Sequence, residues 1–260
     1  MQHNSVKYTI VFSIITCLFC SILVATAAVV LSDKQKYNEI LDRQRNVLES
    51  CGIIKPRESI SAQEINERFK QIRIKIVELK TGDYSQNINP ETYNQLKASK
   101  DPALSIAAPV NNAGIMRIPK YGIVYQVIQK DSVEMLIFPI EGLGLWGTLY
   151  GYIAVDVKDF STIRGITYYS HKETPGLGGE VDNPRWKSLW PKRRIFNENG
   201  QLKISVIKGQ AGSPDQDPYQ VDGLSGATIT GRGVSNMLAF WFGKNGFEPY
   251  LNKIKSQGGI

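Results

Sequence analysis

Histidine and cysteine are scarce in this chain. Among its 260 residues there are two histidines and three cysteines, and the cysteines follow no regular spacing. A disulfide framework or a zinc site is therefore not expected, and we predict no metal. Two of the cysteines, Cys17 and Cys20, lie within an apolar run, where we interpret them as helix filling rather than as a redox motif.

Sequence patterns of common hydrolases and electron carriers are also missing. The chain has no GxSxG elbow and, beyond the apolar run, a single histidine, His171, which disfavours a hydrolase. Pairing of His171 with Glu173 as acid and base is the alternative to a plain surface histidine. We find no dinucleotide-binding fingerprint and no cysteine cluster for an iron–sulfur centre. We therefore assign no catalytic residue.

Acidic residues are outnumbered by basic ones, and the net charge is +7. A diffuse positive surface suits lipid headgroups and gives no argument for nucleic acid as a partner. The densest basic stretch, RWKSLWPKRR at 185–194, interleaves its charges with tryptophan. We interpret this stretch as a face toward lipid or a protein partner, with a solvated basic loop as the alternative.

Residues 8–31 contain no charge at all. At about 1.5 Å per residue this run is long enough to cross a hydrocarbon core about 30 Å thick. It predicts a single transmembrane anchor over residues 1–31 and an extracytoplasmic domain over 32–260. A cleaved signal peptide is the alternative, because VATAA offers small residues, but its apolar region is usually shorter. The short segment before the run favours a cytoplasmic N-terminus.

The remaining sequence predicts an α+β domain, with a mostly antiparallel sheet flanked by helices. Helices are predicted over 32–53, beginning with a Ser-Asp cap, and over 61–82, beginning with a capping box of Ser61 and Glu64. Residues 83–118 are expected to form loop and short helix. The predicted strands are YGIVYQVIQ and SVEMLIFPI, which form a hairpin, and then LYGYIAVDV, TIRGITYYS and LKISVIKG. The apolar positions Val234, Met237, Leu238, Trp241 and Phe242 predict a helix ending near Gly243.

The start of that last helix carries an unusual stretch, DGLSGATIT at 222–230. Ser225, Gly226, Ala227 and Thr228 are expected at the helix N-terminus, where free N–H groups and the helix dipole favour a phosphate. A plain cap by Ser225 or Thr228 explains the same residues. Two further glycine-rich stretches, EGLGLWGT at 141–148 and HKETPGLGGE at 171–180, are typical either of turns that lie against a planar ligand or of ordinary loops.

Taken together, GLGLWGTLYG (142–151), HKETPGLGGE and VDGLSGATIT (221–230) resemble the family of the C subunit of the sodium-translocating NADH:quinone oxidoreductase, which binds FMN covalently. In that family the pattern Asp-x-x-Ser/Thr-Gly-Ala-Thr directs attachment of FMN. The resemblance implies that the FMN phosphate is esterified to Thr228. It also implies that the residues recognised for attachment are Asp222, Ser225, Gly226 and Ala227.

The same resemblance implies the surroundings of the flavin, within a core of about residues 140–245. The residues expected around the flavin are Leu145, Trp146, Glu173, Thr174, Leu177 and Gly178. Lys208 is expected to neutralise the phosphate. A flavin transferase acting on the outer side of the membrane is expected to make the attachment.

A tethered flavin suits an electron relay between neighbouring redox centres, because its local concentration is fixed by geometry. The resemblance implies one subunit of a six-subunit complex of the bacterial inner membrane, which transfers electrons from NADH to ubiquinone and exports sodium. On its own, this subunit is expected to have no turnover. The alternatives are the G-type flavoprotein subunit of the Rnf ferredoxin:NAD oxidoreductase and a membrane-tethered binding protein without cofactor. The long insertion before GLGLWG, including the helix predicted at 62–80, favours the first.

Overall fold

Residues 6–31 of the predicted anchor form the first part of one long helix, α1 (Val6–Ser50), and residues 1–5 lie outside the described residues. The structure is a computed structural model that describes residues 6–259. Within them, α1 is the one helix long and apolar enough to cross a membrane. The helix does not restart at the predicted Ser-Asp cap, because no glycine or proline interrupts the sequence before Gly52, which has φ +75°. The chain forms two compact units, divided between Arg43 and Gln44.

Five antiparallel strands form the main sheet in the order β1-β4-β5-β6-β7. The bounds of the strands are β1 Ile72–Glu78, β4 Tyr121–Gln129, β5 Ser132–Leu143, β6 Thr148–Asp156 and β7 Ile163–Ser170. The predicted hairpin joins β4 to β5 through Lys130 and Asp131, both with positive φ, as a two-residue turn between right-twisted strands requires. The predicted α+β class with a mostly antiparallel sheet is confirmed.

The helix predicted over 61–82 is wrong in its second half. Helix α2 (Ala62–Phe69) is followed almost at once by β1. From Ile72 the apolar residues alternate with polar ones, and Ile72 and Ile76 pair with Val127 and Ile123 of β4. Tertiary pairing therefore overrides the helical pattern. Only half of the predicted capping box forms: Ser61 Oγ accepts the Glu64 N–H at 3.2 Å, whereas the Glu64 carboxylate binds Arg68.

Several short elements complete the domain. As predicted, residues 83–118 are mainly loop with one short helix, α3 (Gln95–Lys100), but they also contain a ribbon that the sequence did not reveal, β2 (Ser105–Ala107) with β3 (Arg117–Pro119). The predicted strand LKISVIKG shrinks to β8 (Ser205–Val206), which pairs in parallel with β9 (Gln220–Val221). A 3-10 helix (Gly178–Asp182) precedes α4 (Pro184–Lys187), and α6 (Glu248–Ser256) follows α5 (Thr228–Trp241) without having been predicted.

The main sheet is buried on both faces. On one face it packs against α5, and all five apolar positions predicted for that helix are buried. Phe138 of β5 contacts Phe242 and Phe247 with ring centroids 5.5 and 4.7 Å apart. On the other face the alternate strand residues, such as Tyr125 and Ile137, are buried as well. Helix α5 and the main sheet therefore support the loops that connect their ends.

The basic stretch at 185–194 is largely structural. Trp186 and Trp190 belong to the core, and Lys187 and Arg193 are buried. Arg193 donates to the carbonyls of Leu189, Gly212 and Asp217. The interpretation of this stretch as a face toward lipid or a partner is therefore wrong for these four side chains, because long-range partners bury them.

Lys187 is the buried centre of a cluster of charged side chains. Its ammonium group lies 2.6 Å from the Glu49 carboxylate, near the end of α1, and 2.9 Å from that of Asp182. The Thr167 hydroxyl of β7 donates to Glu49 at 3.1 Å. The side chain of Lys187 is 7% exposed, so its charge depends on these partners.

We predict that Lys187→Met lowers the free energy of unfolding by about 3–5 kcal/mol, because it leaves the Glu49 carboxylate buried without a counter-charge. Urea unfolding of the full chain in detergent measures the effect. Lys192→Met is the control, since Lys192 is exposed in the same stretch. Equal stabilities of the two variants would contradict the prediction.

Candidate functional site

Three glycine-containing stretches meet at the carboxylate of Glu173. Its Oε1 accepts the N–H of Trp146 at 2.8 Å, and its Oε2 accepts the N–H of Leu145 at 3.2 Å. The Thr230 hydroxyl donates to Oε2 at 2.5 Å. One side chain from 171–180 thus joins the turn between β5 and β6 to the first turn of α5.

The room for this carboxylate is made by two glycines. A Cβ on Gly144 would lie 2.6 Å from Glu173 Oε1, and a Cβ on Gly178 would lie 2.5 Å from Oε2. Both separations are far below van der Waals contact, so any side chain there would displace the carboxylate from its donors. Glycine at these two positions is therefore explained by the packing around Glu173.

The surroundings of Glu173 favour its ionised form. The residue is 5% exposed, and burial alone would raise its pKa. Hydrogen bonds from Thr230 and from the backbone of residues 145–147 outweigh burial and hold the pKa of Glu173 below its ordinary value. His171 does not pair with this carboxylate; its Nδ1 accepts the Glu173 backbone N–H at 3.3 Å. The acid–base pair considered from the sequence is therefore not formed.

Helix α5 begins at Thr228, one residue before the predicted start. Its N-cap residue is Ala227, and no side chain caps the helix, so the plain-cap explanation of DGLSGATIT is wrong. The first intrahelical bond runs from the Gly231 N–H to the Ala227 carbonyl at 3.0 Å. The N–H groups of residues 228–230 consequently have no acceptor within the helix.

A cleft of about 860 Å³ opens at this helix start. Of the residues singled out from the sequence, the cleft is lined by Lys208, Asp222, Ser225, Gly226 and Thr228. Arg232 lines it as well and was not predicted. Since Arg232 follows Thr228 by four residues, helical spacing places both side chains on one face, and that spacing was the available signal. Two cations and free N–H groups make this end of the cleft suitable for an anion.

Asp222 lines the cleft and also supports its wall. Its Oδ1 accepts the N–H of Ala211 at 3.0 Å, and its carbonyl accepts the indole N–H of Trp186 at 2.9 Å. Gly226 has φ +70°, a conformation that side chains rarely adopt. A Cβ on Gly226 would lie 2.8 Å from Leu177, so the cleft and the 171–180 stretch adjoin there.

Large apolar side chains are exposed near this junction. They are Leu145, Trp146, Leu177 and Ile229. Trp146 is 67% exposed, although its backbone is fixed by Glu173. Thr174, predicted beside the flavin, is exposed, and its carbonyl accepts the N–H groups of Leu177 and Gly179. An exposed apolar group next to an anion-binding cleft suits a ligand with a planar ring and a phosphate.

The letters G-x-G-x-x-G do occur at 142–147. Here they join the antiparallel strands β5 and β6, with the Gly144 N–H donating to the Gly147 carbonyl at 2.8 Å. The dinucleotide fingerprint requires a strand before the glycines and a helix after them. This stretch is therefore the hairpin loop between two antiparallel strands and not a dinucleotide-binding loop. Among the described residues no group of three His, Cys, Asp or Glu is arranged to hold a metal ion.

Residues 144–243 match the family described as FMN-binding domain. The C subunit of the Na(+)-translocating NADH-quinone reductase of Pseudomonas aeruginosa is 42% identical over 258 residues, which cover 98% of each chain. The corresponding protein of Vibrio anguillarum is 43% identical over 99% of this chain and 98% of that protein. The crystal structure of NqrC from Shewanella oneidensis superposes with a TM-score of 0.75 at 32% identity, over 86% of this chain and 99% of that chain.

The fold and the matched region define an FMN-binding protein of the α+β class with one N-terminal apolar helix. More particularly, the chain belongs to the family of the C subunit of the Na(+)-translocating NADH-quinone reductase. The described residues fit FMN. Lys208, Arg232 and the helix N-terminus suit its phosphate, while the exposed apolar side chains suit its ring.

We predict a pH-dependent effect of Glu173→Gln. Because the pKa of Glu173 is lowered, its carboxylate stabilises the fold above the ordinary value of 4.5, and this stabilisation is lost as pH falls through the folded pKa. The variant should unfold about 2 kcal/mol more easily at neutral pH. The gap from the parent should shrink below pH 4.5. Urea unfolding at several pH values measures it, and a gap independent of pH would refute the prediction.

Proposed function

We propose that this chain is a membrane-anchored flavoprotein subunit of a sodium-translocating NADH:quinone oxidoreductase, and that it carries FMN esterified to Thr228. The observation that carries the proposal is the exposed Thr228 side chain at the first residue of α5, in a cleft that also holds Lys208 and Arg232. Free N–H groups and two cations stabilise the negative charge of a phosphodiester at this position.

The two threonines of the ATIT sequence are not equivalent as acceptors. Thr228 is exposed, whereas Thr230 is fully buried and its hydroxyl donates a hydrogen bond to Glu173. A transferase reaches the first hydroxyl and not the second. Ser225 is exposed as well, but it lies before the helix and outside its first turn. Helical geometry therefore favours Thr228.

Ester formation joins the Thr228 hydroxyl oxygen to the phosphorus of an activated flavin phosphate. The new bond replaces the oxygen–hydrogen bond of Thr228, and the proton leaves to a base. The bond between phosphorus and the donor's leaving group breaks, and the leaving group keeps the electron pair. No oxidation or reduction is involved. A separate flavin transferase is proposed to bind the donor and to supply the base.

When bound, FMN supplies one- and two-electron redox chemistry. The residues of this chain would hold and orient it. Lys208 and Arg232 line the cleft and would face its phosphate, and Leu177 lies at the junction with the apolar side chains. Trp146 and Leu145 offer an exposed apolar wall on a turn that Glu173 fixes. A tethered ring beside an exposed wall suits electron exchange with a neighbouring subunit.

The reaction with NADH and the reaction with ubiquinone are assigned to partner subunits of the complex, because the described residues provide neither a dinucleotide-binding loop nor a metal centre. We assign this subunit the relay between them, coupled through the whole complex to sodium export. The anchor is proposed to lie in the bacterial inner membrane, with a cytoplasmic N-terminus and the flavin domain outside. The uncharged span argues against ion binding by the anchor itself.

We predict that Thr228→Ala abolishes covalent flavin. The full chain is co-expressed with a flavin transferase, denatured and examined on a gel for flavin fluorescence. The parent and the control Thr230→Val should fluoresce, and Thr228→Ala should not. If Thr228→Ala kept the flavin fluorescence and Thr230→Val lost it, the ester would be assigned to Thr230. A dark parent in the presence of a competent transferase would leave a membrane-tethered protein without covalent cofactor.

We predict that Arg232→Gln and Lys208→Gln each slow flavin attachment by about tenfold, because each removes one charge-assisted contact to the phosphate. The rate is measured with purified chain, transferase and flavin donor. Arg185→Gln is the control, since Arg185 is an exposed arginine that is not among the lining residues of the cleft. Rates equal to that of the control would show that neither Lys208 nor Arg232 contacts the phosphate.

A further inference from the structure

We infer that Glu173 is a positioning residue for the flavin site: its carboxylate holds the Trp146 turn and the first turn of α5 together before any flavin is attached. The inference rests on the proposed function for the identity of the ligand, FMN, and it concerns how the protein assembles the site. The resemblance to the family placed Glu173 around the flavin. The structure gives its carboxylate a different set of partners, all within the protein.

The carboxylate is shielded from a ligand by burial and by its donors within the protein. The residue is 5% exposed, and both oxygens accept hydrogen bonds from backbone N–H groups of the Trp146 turn. Oε2 also accepts the Thr230 hydroxyl. Burial of a charge is tolerated when such donors surround it. Glu173 therefore acts on the flavin through the groups that it fixes.

Only an ionised glutamate meets these demands. In Glu173→Gln one oxygen is replaced by an NH₂ group, which donates and cannot accept. That group would face either the Trp146 N–H or the pair formed by the Leu145 N–H and the Thr230 hydroxyl. A shorter Asp would not span the same distance. Position 173 therefore requires a side chain that carries two accepting oxygens and has the length of glutamate.

The partners of Glu173 all belong to the site. The Trp146 turn carries the exposed apolar wall, and Thr230 lies two residues after the proposed ester position Thr228. The hydrogen bonds of the carboxylate run to these two segments, whereas the apolar core between α5 and the sheet is held by other side chains. Loss of the carboxylate should therefore loosen the two edges of the flavin site and leave the sheet intact.

The first test needs no flavin. Hydrogen exchange is measured on the full chain in detergent, purified without transferase, for the parent, Glu173→Gln and the control Glu198→Gln. Glu198 is exposed in a turn away from the site. We expect the amides of Leu145 and Trp146, which donate to the carboxylate, and the first hydrogen-bonded amide of α5, that of Gly231, to exchange about tenfold or more faster in Glu173→Gln. Amides of β5 and β6 should be unchanged.

Uniformly faster exchange across the sheet would overturn the inference, because it would show a general stabilising role. Exchange equal to that of the control would overturn it as well. If Glu173→Gln does not fold, Thr230→Val keeps the carboxylate and removes one donor. It should accelerate exchange of the Gly231 amide and leave the strands unchanged, and parent-like exchange of that amide would refute the inference.

The second test reads the flavin itself. In chains carrying covalent flavin, Glu173→Gln should lower the fluorescence anisotropy of the native protein and raise iodide quenching by roughly twofold, because a looser wall leaves the ring mobile and accessible. Parent-like anisotropy and quenching in the folded variant would refute the positioning role. A parent without covalent flavin would refute the ester at Thr228, and the exchange experiment would still decide the role of Glu173.

Discussion

The proposed flavin site is organised around one buried negative charge, the carboxylate of Glu173. Burying an isolated carboxylate is costly, so its donors must be in place whenever the domain is folded. Those donors come from the turn between β5 and β6 and from the first turn of α5. Gly144 and Gly178 leave the space that the carboxylate occupies. Three distant stretches of sequence are thus constrained by the same group, and each contributes its own surface to the site.

Helix α5 divides its residues between stability and function. The buried face, which includes Val234 and Met237, packs against the sheet in the main core. The exposed face presents Thr228 and Arg232 to the cleft. Because the helix is anchored along its length, its N-terminus keeps its place without a side-chain cap. The free N–H groups then remain available for an anion.

The sequence predicted those features that depend on local pattern. The hairpin of β4 and β5 follows from alternation around Lys130 and Asp131, and the start of α5 was predicted to within one residue. Features that depend on distant partners were missed. Lys187 looked like surface charge, because the less exposed of its two counter-ions, Glu49, lies 138 residues away. Strand β1 looked helical because nothing separates it from α2, and only pairing with β4 decides its conformation.

The pair of threonines in ATIT shows how a motif acquires its specificity. In a helix, residues two apart point in nearly opposite directions. Burial of Thr230 against Glu173 therefore turns Thr228 toward solvent, in the cleft with Lys208 and Arg232. The hydroxyl of Thr230 is chemically identical, but it is buried and therefore inaccessible. The selectivity proposed for Thr228 thus follows from which face of α5 the domain buries. Helix geometry explains why the two threonines of the motif differ.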